Sequence, residues 1–285
     1  MSPFFNFQFS LFHFLVVPLL LAAPVAAQQR PLVTEDPETV GAGHVLVEAG
    51  VSHARDLELP AYGLQGHRSE LPAVGISIGL SSIAELQVDA GYSRMRVTAR
   101  RAAPLSDVLT FSGDTTASIA DVVIGMKIRL IGERGRRPAF SLRLATKLPN
   151  AKNQSGLGTD EMDFFASLLA ARTIRDVRVV ANLGIGIVGD PAQLAVQHDP
   201  FIYGLSVARA VANGFEVVGE VTGRYLSYDE PPPGSENRAT LTGGLRYTWG
   251  AVRVDAGTSV GLTGIDSRIG FTAGVTWAVD AFRLP

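Results

Sequence analysis

Apolar and polar residues alternate along most of the chain, beginning at Val45. Val45, Val47, Ala49 and Val51 alternate with small or polar residues such as Glu48. A period of two indicates a β-strand, because successive side chains of a strand point to opposite faces of the sheet. The pattern recurs about twelve times before the C-terminus. It predicts an all-β fold of about twelve antiparallel strands.

The two faces of these predicted strands differ in composition. One face is a continuous aliphatic band, and the other carries Gly, Ser, Thr, Asn and charges of both signs. In a soluble sandwich or a lipocalin-like barrel, the apolar face points inward and large residues fill a core. In a transmembrane barrel, the apolar face meets lipid and the polar face lines the lumen. The alternation alone is compatible with both arrangements.

Connection lengths favour the transmembrane barrel, because bacterial barrels alternate short periplasmic turns with longer extracellular loops. The predicted connections are long at residues 55–70, 97–117, 149–161, 189–200 and 227–238, intermediate at 263–268, and short at 81–82, 132–137, 175–176, 212–214 and 250. Aromatic residues fall near both predicted ends of the strands, as interfacial girdles do, although aromatic residues also favour strands in general. The sequence therefore predicts a transmembrane antiparallel β-barrel.

The first residues suggest export. An apolar run ends in Val25-Ala26-Ala27, which predicts a signal peptide at residues 1–27, although residues 1–10 lack the usual Lys or Arg. Residues 28–42 are rich in Pro, Asp, Glu and Gly and precede the first strand as a periplasmic tail or a lumen plug. Residues 43–285 form the predicted barrel. The expected location is the bacterial outer membrane, with its lipid and the barrel-assembly machinery as partners.

Composition excludes other classes. The chain has no Cys, so an exported fold must be stabilised by backbone pairing and burial instead of disulfides. The net charge is −2, and there is no strongly basic stretch beyond short runs such as residues 134–137, which makes nucleic acid an unexpected partner.

Three short motifs carry a family resemblance. They are R-x-x-x-T-E-D-P-x-T-V-G-x-G at residues 30–43, LPNAKNQSGLGTDEMDF at 148–164 and LGIGIVGD at 183–190. The chain resembles the bacterial outer-membrane family of phenol-degradation meta-pathway proteins, which are transporter-like β-barrels. The resemblance implies passage of aromatic or other small hydrophobic compounds, and it supplies no catalytic or binding residues. One departure is the C-terminus, which ends in Arg283-Leu284-Pro285 where many barrels end in an aromatic residue.

Candidate catalytic and metal motifs are weak. Residues 184–189 spell G-x-G-x-x-G, but a dinucleotide site needs a helix to follow, and Asp190-Pro191 begins a loop. His44, His53, His67 and His198 show no metal-ligand spacing. Ser52 and His53 are adjacent strand residues on opposite faces, so they do not form a nucleophile and base. We expect no catalytic residue, metal or cofactor.

The predicted lumen face carries many charges, and these are the candidate selectivity residues. They are Glu48, Glu85, Asp89, Lys127, Arg129, Arg143, Lys147, Arg178, Glu216, Glu220, Arg224, Arg246 and Arg253, with Asp121 and Asp255 beside them. Most are expected to pair across neighbouring strands and to narrow the bore. An unpaired subset, which we expect to be arginines, would select anions or polarised aromatic solutes.

Two predicted outer loops contain apolar residues, at 105–111 and 194–196. They either collect hydrophobic solute or pack on each other as a lid. The sequence as a whole predicts an outer-membrane channel for passive passage of small hydrophobic or aromatic compounds. The alternatives are a structural or adhesive surface barrel, and an outer-membrane enzyme that modifies lipid.

Overall fold

The computed structural model describes residues 30–191, 199–227, 231 and 233–282. Within these ranges the chain forms thirteen strands and three single turns of 3-10 helix. The strands are β1 His44–Leu59, β2 Leu64–Gly79, β3 Ala84–Arg100, β4 Thr115–Ile119, β5 Val123–Ile131, β6 Ala139–Lys147, β7 Asp163–Ile174, β8 Val177–Ile187, β9 Phe201–Ala212, β10 Phe215–Tyr225, β11 Arg238–Trp249, β12 Val252–Gly261 and β13 Ile269–Asp280. No helix in the described ranges is long and apolar enough to cross a membrane.

The strands close into a barrel, because β1 pairs with both β2 and β13. β4 and β5 occupy one position in the ring: β3 pairs with β4 through Tyr92–Arg96 and with β5 through Ala84–Asp89. The described chain therefore forms an antiparallel barrel with twelve strand positions. The predicted fold class is confirmed.

Large apolar side chains cover the outside of this barrel. Leu144, Leu205 and Leu245 are exposed, whereas Lys127 and Ser141 are fully buried. This reverses the arrangement in a soluble protein, where charged side chains are almost never fully buried. The aliphatic face meets lipid and the polar face lines the lumen, so the prediction from connection lengths is correct. Exposed aromatic residues lie toward both ends of the barrel. Trp249 and Trp277 are near the end with the short turns, and Tyr92 and Phe271 are toward the end with the long loops.

The turn end is the end with the short connections, and the loop end is the opposite one. At the loop end, the predicted first loop at residues 55–70 is wrong, because β1 and β2 continue through it and only residues 60–63 connect them. The register shifts between Ala54 and Leu57. This part of the hairpin extends beyond the apolar band, so its pattern no longer alternates between lipid and lumen. The later connections lie within a few residues of the predicted ones.

An apolar cluster holds the outer loops together at the loop end. Its buried members are Ala61, Tyr62, Leu64, Met95, Val97 and Leu105, and Leu59, Val108, Leu109, Phe111 and Leu157 pack around them. The loop at residues 105–111 therefore packs against the first hairpin, a partner that the sequence did not predict, and its packing on the loop at 194–196 stays a prediction. The second loop, at residues 194–196, the predicted signal peptide at 1–27 and residues 283–285 lie outside the described residues.

Tyr62 ties this cluster to the next loop, because its hydroxyl donates a hydrogen bond to the carbonyl oxygen of Gly158. Burial, together with the charges of Asp160 and Asp121, raises the pKa of Tyr62 to about 12. Tyr62 is therefore a neutral donor at physiological pH.

Candidate functional site

The lumen contains residues 30–42, which we call the N-terminal segment. Val40 donates its backbone N–H to Glu85 on β3 over 2.7 Å, and Thr34 donates its backbone N–H to Glu220 on β10 over 2.8 Å. Arg30 donates to Thr272 on β13. These strands lie on different sides of the ring. The segment therefore crosses the interior of the barrel.

Glu35 is the centre of a buried charge network. Its carboxylate lies 3.1 Å from the Lys127 ammonium and 2.7 Å from Nε of Arg143. Lys127 also lies 3.0 Å from Glu85. The Lys127 side chain has 0% exposure and that of Glu35 6%. Charges this deeply buried must be compensated by partners, so each of these groups depends on the others.

Two further acidic residues connect the N-terminal segment to strands near the turn end. Asp36 lies 2.7 Å from Arg178 on β8, and Glu38 pairs with Arg129 on β5. Arg178 also pairs with Glu133, in the turn after β5. Partial burial alone would raise the pKa of Glu133, but hydrogen bonds from Thr173 and the charge of Arg178 hold that pKa below its ordinary value. Arg178 therefore joins the segment to the periplasmic turns.

Glycines of the lumen wall allow the N-terminal segment to approach the sheet closely. A Cβ atom built on Gly244 would lie 2.8 Å from the Pro31 ring, and one on Gly257 would lie 3.1 Å from it. A Cβ on Gly204 would lie 3.0 Å from the Thr34 hydroxyl. Side chains at these positions would occupy the space that the segment fills.

All thirteen predicted lumen charges face the interior, and their role in selectivity stays a prediction. Glu85 pairs with Lys127, Lys147 with Asp163 and Asp121, and Glu216 with Arg246, as expected for neighbouring strands. Arg253 on β12 reaches the same Glu216 carboxylate across β11. Arg129, Arg143, Arg178 and Glu220 instead bind the N-terminal segment, and Glu48 accepts a hydrogen bond from its Arg30 N–H. Arg224 donates to the carbonyl oxygens of Gly234 and Glu236. Asp89 forms no salt bridge with any described residue.

Sequence reasoning missed Glu35, Asp36 and Glu38 as partners of the lumen cations. The available signal was their position: the run T-E-D-P-E at residues 34–38 is acidic and directly precedes the first strand. The glycines of the G-x-G-x-x-G motif begin inside β8, and this strand continues to Ile187. The motif is therefore part of the barrel wall.

A cavity of about 890 Å³ lies in the lumen between the N-terminal segment and the loop end. Arg30 and residues 32–35 form one end of it, and Val33 is 72% exposed there. Glu70 and Asp89 line one wall, on β2 and β3. Phe165 on β7 and Ile202 on β9 line another wall, nearly across the ring. The cavity thus offers carboxylates on one side and apolar surface on the other.

Comparison with known families agrees with the resemblance seen in the sequence. A family model described as "Putative MetA-pathway of phenol degradation" matches residues 28–279. The chain belongs to this family. The match includes the N-terminal segment and almost the whole barrel of this family member. Among proteins with curated functions, none matches the chain.

Solved structures share its architecture at low sequence identity. An outer membrane channel of the COG4313 group from Pseudomonas putida F1 superposes with a TM-score of 0.63 at 9% identity, covering 86% of this chain and 98% of that one. The KdgM porin, in complex with disordered oligogalacturonate, gives a TM-score of 0.48 at 8% identity and covers 82% and 98% of the two chains. The likeness to the channel from Pseudomonas putida F1 shows that this family member has the fold of a bacterial outer-membrane barrel. This family member is an outer-membrane protein.

Proposed function

We propose that the protein is a passive outer-membrane channel for small hydrophobic or aromatic compounds. The observation that carries the proposal is the lumen cavity of about 890 Å³, which lies inside a barrel that spans the membrane. Two likenesses support it. The family description refers to phenol degradation, and the similar barrel from Pseudomonas putida F1 is described as a channel.

The cavity walls suit an aromatic compound with one polar group. The Phe165 ring and the Ile202 side chain offer apolar surface to a ring. Glu70 and Asp89, on the facing wall, are hydrogen-bond acceptors for a hydroxyl or ammonium donor. A phenol-like molecule satisfies both walls at once, because its hydroxyl donates to a carboxylate while its ring contacts the apolar side.

The carboxylates of the cavity that form no salt bridge favour neutral and cationic solutes over anions. Among the described lining residues, Arg30 pairs with Asp255, Arg143 with Glu35 and Arg238 with Asp266. Arg224 donates to loop carbonyls near the mouth, whereas the Glu70 and Asp89 carboxylates form no salt bridge. Carboxylates without a cationic partner repel anions at short range. The expectation that unpaired arginines set the selectivity is therefore replaced in this proposal by a carboxylate wall.

The N-terminal segment determines how far this path is open. It crosses the lumen on the turn side of the cavity, and its contacts include the buried network around Glu35. Solute must pass beside the segment or wait for it to move. Conduction is therefore expected to be small while the segment is seated, and larger when its anchors are removed.

Single-channel conductance of the refolded mature protein in planar bilayers tests the proposal. We expect discrete steps in KCl that benzyl alcohol and benzylamine reduce more strongly than benzoate does. Phe165→Ala should weaken the block by about tenfold, which corresponds to roughly 1.4 kcal/mol. Phe164→Ala is the matched control, because the neighbouring Phe164 ring faces lipid and is 47% exposed.

Two results would contradict the channel. One is a heat-modifiable folded barrel that never conducts, even after removal of residues 30–42, which would favour a surface scaffold or an enzyme. The other is an equal loss of block in Phe164→Ala and Phe165→Ala, which would mean that the solutes act through the bilayer and not through the cavity.

A further inference from the structure

Three neighbouring strands extend further at the loop end than the rest of the barrel. β1, β2 and β3 contain 16, 16 and 17 residues, whereas strands β5 to β13 contain 9 to 12. Spanning a bilayer at a tilt takes about 9 to 11 residues. The additional residues of β1–β3 therefore stand above the apolar band, on the side that faces the cell exterior.

The outer face of this extension is basic. Along β3, Arg94 and Arg96 are exposed and alternate with the buried residues Ser93, Met95 and Val97. Cross-strand pairs place Arg94 beside Ser69, and Arg96 beside His67. His53 lies beside Ser69 on the other side, and Arg55 is exposed two residues further along β1. We call His53, Arg55, His67, Arg94 and Arg96 the basic sector.

The charges of the basic sector are largely unneutralised. Within the described ranges, Arg55 and Arg94 form no salt bridge. Arg96 lies 3.8 Å from Asp114, and both side chains are about 70% exposed. Asp56 approaches His67 to 3.7 Å. Pairs this long and exposed contribute little, so they leave the arginines available to an external anion.

The rest of the loop end has a different outward surface. The outward residues at the corresponding ends of other strands are Phe164, Ile187, Tyr225 and Val260, which are apolar or aromatic and exposed. Arg224 and Arg238, at these strand ends, bind loop carbonyls and Asp266, whereas the exposed Arg268, just before β13, adjoins Arg55 at the edge of the basic sector. The basic sector is therefore confined to one side of the barrel and is not a general property of its rim.

We propose that the basic sector binds the phosphate groups of lipid A in the outer leaflet, independently of any channel function. Two exposed aromatic residues mark the interface between acyl chains and headgroups: Tyr92 precedes Arg94 by two residues on β3, and Phe271 is the cross-strand partner of His53. Lipopolysaccharide places its lipid A phosphates at this level. Guanidinium groups bind phosphate oxygens through two parallel hydrogen bonds, and Arg94 and Arg96 present two such groups from one face, on Cα atoms about 7 Å apart.

Binding of diphosphoryl lipid A to the full-length mature protein in detergent tests the proposal, with native mass spectrometry or fluorescence titration as the readout. The double variant Arg94→Gln/Arg96→Gln should bind diphosphoryl lipid A at least about tenfold more weakly, because two charge-assisted contacts are lost. The matched control is Arg134→Gln/Arg136→Gln, which removes the same charge from an exposed turn at the opposite end. Heat modifiability on gels reports whether each variant is folded.

The lipid panel separates the phosphates from other sources of affinity. We expect monophosphoryl lipid A and phosphatidylglycerol to bind the parent protein more weakly than diphosphoryl lipid A does. Equal binding of all three lipids would overturn the proposal, because the acyl chains or a general negative charge would then suffice. Unchanged affinity in a folded Arg94→Gln/Arg96→Gln variant, or the same loss in both double variants, would overturn it as well.

Discussion

Lys127 of β5 and Glu35 of the N-terminal segment form an ion pair inside the barrel, with 3.1 Å between Nζ and Oε1. Glu85 lies 3.0 Å from the same ammonium group, and the Lys127 side chain has no exposure. The position of the N-terminal segment and the charge balance of the lumen are therefore coupled. A change in one must affect the other, because a buried charge without a partner is strongly unfavourable.

Lys127→Met should release the N-terminal segment, because it leaves Glu35 and Glu85 buried without their shared cation. Breaking a buried pair in this way costs about 3 to 5 kcal/mol. We expect faster cleavage within residues 30–42 by added protease and a larger single-channel conductance. Arg209→Gln is the control, because Arg209 and Asp176 form an exposed pair outside the lumen. Equal protease sensitivity in the two variants would show that the ion pair does not hold the segment.

Gly244→Ala should displace the N-terminal segment without removing any charge. The new methyl group would lie 2.8 Å from the Pro31 ring and 2.7 Å from the carbonyl oxygen of Ala256. Gly243→Ala provides the comparison, because a Cβ at Gly243 meets nothing within 4 Å. Protease cleavage of residues 30–42 measures the difference. Parent-like protection in the Gly244 variant would mean that the segment tolerates the added methyl group where it lies.

Tyr62 should remain protonated when the other tyrosines ionise. Burial and the charges of Asp160 and Asp121 raise its pKa to about 12, so ultraviolet difference spectra should show one fewer ionised tyrosine at pH 11 in the parent than after denaturation. Because the folded pKa lies above the unfolded value of about 10, the stabilisation is complete below pH 10 and is lost between about pH 10 and 12.

Tyr62→Phe tests the same group by substitution. It removes the hydrogen bond to Gly158 and should lower loop stability by about 1 kcal/mol, as seen in hydrogen exchange of the outer loops. The late-titrating tyrosine should also disappear from the alkaline spectra. If it persists in Tyr62→Phe, another residue is responsible for the late transition.

Asp89→Asn/Glu70→Gln should shift the channel toward anions. Both carboxylates line the cavity, and neither forms a salt bridge in the described part of the chain, so their loss removes negative charge from the conducting path. Reversal potentials in a KCl gradient measure the change. Asp176→Asn removes one charge from a periplasmic turn and should leave the potential close to that of the parent. A double variant with the parent's reversal potential would place the selective residues elsewhere.

The strand pattern was predictable because it is a local property. A side-chain period of two shows which residues share a face, and short and long connections show which face meets lipid. Val45–Val51 illustrates this: its small apolar residues face lipid, while Glu48 points inward and accepts a hydrogen bond from the Arg30 N–H. The inward orientation of Lys127, Arg143 and Arg178 followed from the same rule.

The extension of β1 and β2 was not predictable in this way. Residues 55–70 are polar and irregular because one part of the hairpin stands in water and another packs on the outer loops. A pattern set by lipid on one side and lumen on the other does not apply there. Backbone pairing between the two strands, which continues to Leu59 and Leu64, determines the structure.

The partners of the lumen charges were decided only by the tertiary structure. The sequence placed Arg129, Arg143 and Arg178 on the inner face, where cross-strand neighbours were the expected partners. The closed barrel instead brings Glu35, Asp36 and Glu38 to them from a segment that has no regular secondary structure. Periodicity specifies the direction in which a side chain points. A contact between the barrel wall and the N-terminal segment depends instead on how the closed ring of strands encloses that segment.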